Sequence, residues 1–112
     1  MKDNKLTTLK FNDPLVAMVL RKTKDTTWRI GDDKNIDIGE IVSLCRNSGE
    51  EFGKGEVRSI KKTLFKYLSL EDKTGHERFE TAEDMYKTYS IYYGFEVCPK
   101  TEVQVIKYKL LD

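Results

Sequence analysis

The stretch Arg21-Lys22-Thr23-Lys24-Asp25-Thr26-Thr27-Trp28-Arg29 gathers four cations, three threonine hydroxyls and the only tryptophan of the chain. A lysine in such a setting can contact phosphate or carboxylate, or act as a base where burial lowers its pKa. A threonine hydroxyl can hold a polar ligand, or attack as a nucleophile once a base takes its proton. The same composition also describes a solvated turn. Elsewhere, Lys54, Arg58, Lys61, Lys62 and Lys66 form the densest cationic segment, with Glu56 the only acid between 52 and 66. On a strand, Lys54 and Arg58 share a face, where they can contact RNA phosphates or protect a sheet edge. Tyr86, Tyr89, Tyr92 and Tyr93 could stack on bases, although their helical spacing fits core packing better. His76 adjoins Glu77, but neighbours in sequence rarely face one site, and His76 reads as an exposed loop residue.

The composition limits what these residues can do. The 112 residues carry 20 Lys+Arg against 19 Asp+Glu, a formal charge of +1. That length suits one domain, with its core over about residues 6–110 and a polar N-terminus at 1–5. Near-neutral charge argues against a strong non-specific nucleic-acid binder. The distribution is uneven, however. Cations gather at 21–29 and 54–66 while many acids fall at 32–40 and 71–84, which suits a local pocket for one nucleotide or a short RNA. One His and two Cys, Cys45 and Cys98, cannot build a conventional zinc site, and no Cys-x-x-Cys pair exists. The longest apolar run is six residues, Leu15 to Leu20, whereas a membrane span needs about 20. No secretory apolar region follows the N-terminus. The expectation is a reduced, cytoplasmic domain with no membrane partner, no metal and no other cofactor.

Several short strands and few helices must position the site. Leu6 to Phe11 reads as a strand with Leu9 and Phe11 on one face. Asp13-Pro14 starts a short helix that carries Leu15, Met18 and Val19 inward. Thr26 to Ile30, Ile41 to Arg46, Phe52 to Ile60 and Glu102 to Leu110 read as strands, and Cys45 as core. Gly53 and Gly55 predict a bulge or a close backbone approach. Thr63 to Leu68 reads as a short helix, followed by a polar loop to about Arg78. Thr81-Ala82-Glu83-Asp84 resembles a capping box opening a further helix that Gly94 stops. The pattern predicts α+β architecture, with five or six strands curled or closed into a small barrel and two or three helices.

In order and spacing, Arg21-Lys22-Thr23, Thr27-Trp28-Arg29-Ile30 and Ile38-Gly39-Glu40-Ile41-Val42 resemble the ASCH domains. Those are small β-barrel domains related to the PUA RNA-binding fold, with a hallmark close to Gly-x-Lys-Thr-x-Thr-x-Arg. Phe52-Gly53-Lys54-Gly55-Glu56-Val57 and Thr63-Leu64-Phe65-Lys66-Tyr67-Leu68 extend the resemblance over roughly Phe11 to Leu110. It implies a domain that binds RNA or a modified nucleoside, with Arg21, Thr26, Trp28, Arg29, Lys54 and Arg58 as contacts. One branch of the family hydrolyses the acetyl amide of N4-acetylcytidine with a Lys, a Thr and a Glu. The resemblance places these on Lys22, Thr27 and Glu77. Thr26 competes with Thr27, since only one of two successive strand residues can face a pocket. Glu71, Asp72 and Glu80 share the loop with Glu77. A non-catalytic regulatory or partner-binding domain is the third reading.

Overall fold

Apolar residues at alternate positions build a five-stranded sheet. The computed structural model describes residues 6–22, 24–30, 36–76 and 78–111. The strands are β1 (Thr8–Phe11), β2 (Thr26–Arg29), β3 (Ile41–Arg46), β4 (Glu51–Leu64) and β5 (Glu102–Leu111). Three α-helices accompany them: α1 (Asp13–Leu20), α2 (Leu70–Lys73) and α3 (Ala82–Tyr93). The strand order is β1-β3-β4-β5-β2. β1 runs parallel to β3, and every other pairing is antiparallel.

Alternation divides the side chains between two cores. One face carries Leu9, Phe11, Val42, Leu44, Val57, Ile106 and Tyr108, which pack with Val16 and Val19 of α1. The opposite face carries Trp28, Val103 and Val105, which pack with Met85 and Tyr89 of α3 and with Phe65 and Leu68. In the β2–β5 ladder, Thr27 pairs with Ile106 and Arg29 with Gln104, whereas Trp28 pairs with Val105. Thr27 and Arg29 are therefore on the α1 side of the sheet, and Trp28 on the α3 side.

The sheet curls strongly. β1 and β2 stand at opposite edges, yet the Arg29 guanidinium lies 5.1 Å from the centre of the Phe11 ring. No ladder joins β1 to β2 among the described residues, so the sheet is open along this seam rather than a closed barrel. Irregular pairing helps the curl. The β3–β4 register shifts at Leu44/Cys45, beside Gly53, and the β4–β5 register shifts between Val57 and Ser59. At Gly55 a side chain would press on Tyr108 Cδ2 at 3.3 Å, so both a bulge and a close approach occur in this strand.

Three local readings change. Thr63 and Leu64 are not helical, because they continue β4 and pair with Val103 and Glu102, which outweighs their local preference. Only Phe65–Tyr67 forms a turn of 3-10 helix. The segment read as a polar loop contains α2, capped by Ser69 and Asp72 in a reciprocal box. At the start of α1 the cap position is Asn12, and Asp13 lies in the first turn, where its charge favours the helix dipole.

Candidate functional site

The open seam between β1 and β2 is a cleft of about 460 Å³. Lys10, Phe11 and Asn12 line it from one edge, and Lys24, Thr27, Trp28 and Arg29 from the other. Tyr89, Ile91, Tyr92 and Tyr93 of α3 supply a further wall. Phe11 is the common neighbour of the cations: Lys24 Nζ lies 6.0 Å and Arg29 Cζ 5.1 Å from its ring centre. Such placements favour a cation over the ring face.

Lys24 is the residue that the sequence reading missed. Only 2% of it is exposed, and its amine donates to the Thr26 carbonyl at 2.6 Å. The Tyr108 hydroxyl donates to the Lys24 carbonyl at 3.3 Å, and the Lys24 N–H to the Met18 carbonyl. These bonds hold the backbone as it leaves α1 and enters β2. Lys22, by contrast, is exposed at the end of α1 with φ at 62°, and does not line the cleft. A left-handed backbone is unusual for lysine and easy for glycine. The signal was in the spacing. Lys24 precedes Arg29 by five positions, as the hallmark's Lys precedes its Arg, and Lys22 then falls on the hallmark's glycine.

The two threonines separate as strand geometry requires. Thr27 lines the cleft. Thr26 is fully buried on the other side, where its hydroxyl donates to the Thr74 carbonyl at 2.9 Å and accepts from Lys107 Nζ at 3.1 Å. Glu77 lies outside the described residues. Arg21 is exposed, and its N–H closes α1 on the Ala17 carbonyl. Lys54 and Arg58 are not brought to the cleft. Each is paired with an acid of its own strand, Lys54 with Glu51 at 2.8 Å and Arg58 with Glu56 at 3.0 Å. The Lys54 bond, aided by Ser43, holds the Glu51 carboxyl below its usual range.

Behind the cleft, the loop from α2 to α3 is fastened to β2. Gly75 offers its carbonyl to the N–H groups of Asp25 and Thr26, at 2.9 and 3.2 Å. The Trp28 indole N–H donates to the Asp72 carbonyl at 3.1 Å. His76 is not an exposed loop residue: it is 5% exposed and stacked on Trp28 with 3.6 Å between ring centres. Its Nε2 lies 2.8 Å from the Tyr89 hydroxyl. The indole face and the phenol offer the imidazole an apolar and a polar partner together, which explains its burial. Tyr89 is buried as core, while Tyr92 is 45% exposed at the cleft, so the tyrosine row serves both packing and lining.

Asp72 anchors this loop. Burial pushes its carboxyl up, but hydrogen bonds from Lys61 and from the Ser69 N–H outweigh that and hold it below the usual range. A carboxyl lowered on folding contributes stability that is present above its unfolded pKa, about 3.9, and is lost as pH falls through the folded value. Thermal melts from pH 7 downward are expected to lose stability below about pH 4. Asp72→Asn should be about 1 kcal/mol less stable at neutral pH, with a shallower acid limb. An acid limb unchanged in the variant would show that Asp72 does not carry this dependence.

No group of three His, Cys, Asp or Glu suited to a metal occurs among the described residues, and no helix among them is long and apolar enough to cross a membrane. No protein-family model and no curated protein matches the chain. Solved structures do. An ASCH domain from Lactobacillus crispatus superposes with a TM-score of 0.73 at 11% identity, covering 95% of this chain and 79% of that one. A protein of Enterococcus faecalis gives 0.79 at 9% identity, covering 100% and 84%. An ASCH protein from Zymomonas mobilis gives 0.63 at 14%, covering 100% and 71%. The chain has the ASCH-domain fold.

Proposed function

We propose that the seam cleft binds RNA or a modified nucleoside, as the resemblance to ASCH domains implies. The observation that supports this most is the composition of its walls, where the cations Lys10, Lys24 and Arg29 share the cleft with the partly exposed rings of Tyr92 and Tyr93. Aromatic faces accept bases and cations accept phosphates, and a site for single-stranded RNA uses both. The volume falls within the range of small-ligand sites, about 300–1,000 Å³.

A second reading is favoured by Lys24 and Thr27 lining the same cleft. It is an amidohydrolase acting on N4-acetylcytidine, with Lys24 in the role that the resemblance gave to Lys22. Lys24 takes the Thr27 proton as the hydroxyl oxygen attacks the acetyl carbon. The tetrahedral oxyanion collapses, the C–N bond breaks, and the proton passes to the departing N4 amine of cytidine. Water then hydrolyses the acetyl-threonine to acetate. Glu77 would move protons or hold the cytosine edge.

One experiment separates the readings. The protein is incubated with N4-acetylcytidine, cytidine release is followed by chromatography, and binding of a short RNA is titrated at two salt concentrations. The binding reading expects no release, with RNA affinity that falls with salt and drops about tenfold in Lys24→Ala. Release abolished by Lys24→Ala and by Thr27→Ala, but kept in Lys22→Ala, would establish the hydrolase. Neither release nor RNA binding would leave a partner-binding domain.

A further inference from the structure

The charged residues of the cleft are all of one sign. Lys10, Lys24 and Arg29 line it, and no carboxylate does among the described residues. Arg29 is the most telling of them. Its Nε is buried with no hydrogen-bond partner, while its guanidinium rests on Phe11. A ring face attracts the charge of a guanidinium but leaves its in-plane N–H donors unbonded. Nε is closed off, but Arg29 as a whole is only half-buried, so the Nη end of the fork is left to bond an acceptor that arrives with a ligand. A planar fork of donors fits the paired oxygens of a phosphate.

We propose that the ligand is anionic, a nucleotide or oligonucleotide whose phosphate bonds the Nη groups of Arg29, with Lys10 as a second, solvent-facing cation. The base then rests on the Tyr92–Tyr93 wall, where Tyr92 remains 45% exposed. A neutral nucleoside offers Arg29 only uncharged acceptors, which make weaker bonds than the paired, charged oxygens of a phosphate. The proposal rests on the nucleobase-binding reading and adds that the phosphate decides the affinity.

The test is calorimetric titration with cytidine, cytidine 5′-monophosphate, a cytidine dinucleotide and inorganic phosphate, against the wild type, Arg29→Ala and Arg29→Lys. The wild type is expected to bind the monophosphate at least about tenfold more tightly than cytidine, the scale of a charge-assisted hydrogen bond. Arg29→Ala should cut that difference to the part that Lys10 supplies, so the ratio of monophosphate to cytidine affinity, and not cytidine affinity itself, is the readout. Arg29→Lys should recover part of it, and thermal melts confirm that both variants fold. The dinucleotide distinguishes an internal phosphodiester from a terminal phosphate as the natural source. Equal affinity for cytidine and its monophosphate, or a preference unchanged in Arg29→Ala, overturns the anion assignment and leaves nucleobase binding standing. Phosphate binding that depends on Arg29 without any gain from the base overturns the nucleobase reading alone. No binding of any probe overturns both.

Discussion

Trp28→Ala is expected to cost about 3–5 kcal/mol, the range for removing a large aromatic from a core. Domains of this kind are stable by about 5–15 kcal/mol in total, so the variant should be poorly folded at 37 °C. Trp28 is 3% exposed and touches three rings: His76 at 3.6 Å, Tyr89 at 5.9 Å and Phe65 at 6.0 Å between centres. Its loss also strips the Asp72 carbonyl of the indole donor, leaving a buried acceptor unsatisfied. Trp28→Phe separates the two effects. It keeps much of the packing but not the N–H, and should cost about 1–3 kcal/mol. Chemical denaturation gives these values, and a loss under 1 kcal/mol in Trp28→Ala would refute the view that this ring holds the α2–α3 loop against β2. Because Trp28 also lines the cleft, the folded Trp28→Phe protein should bind RNA more weakly than the wild type.

The strands were legible because their signal is local. Leu9 and Phe11, Val42 and Leu44, and Val103 and Val105 alternate as half-buried strands do, and each pair is buried. The helix from Ala82 was legible from its Thr81 cap and its Gly94 stop, where φ is 74°. What was not legible depends on partners distant in sequence. Thr63 and Leu64 are strand because β5 arrives beside them. His76 is buried because Trp28, 48 positions earlier, offers a ring face. The cleft has the same origin. In the sequence Lys22 and Lys24 differ only in their distance to Arg29, and it is the turn out of α1 that separates them in space. That turn puts Lys22 in the left-handed region and Lys24 under the sheet. Lys10 and Phe11 could not be assigned to the site at all, because the curl that brings β1 to β2 is a property of the whole sheet.

Gly75→Ala is expected to be the most damaging change among the glycines of the described residues. Gly75 has φ of 81°, a conformation that costs an alanine about 1–2 kcal/mol. A side chain there would also place its Cβ 1.8 Å from Asp25 Oδ1 and 3.1 Å from Thr26 Oγ1. The Asp25 carboxylate can swing away, at the loss of its bond from the Thr26 hydroxyl. Thr26 has less room, since Lys107 and the Thr74 carbonyl already hold its hydroxyl. Strain and displacement together should cost about 2–3 kcal/mol, a fall in melting temperature of roughly 10 °C or more. The double variant Gly75→Ala/Asp25→Ala tells the two apart: it should regain the part due to the clash and keep the part due to φ. A melting temperature unchanged in Gly75→Ala would sink the argument. The consequence reaches the cleft, because the Gly75 carbonyl fixes the start of the strand that presents Thr27 and Arg29. Gly75→Ala should therefore weaken RNA binding even at temperatures where the protein is fully folded, whereas Gly49, with φ of 98° and nothing near its missing side chain, should show only the backbone strain.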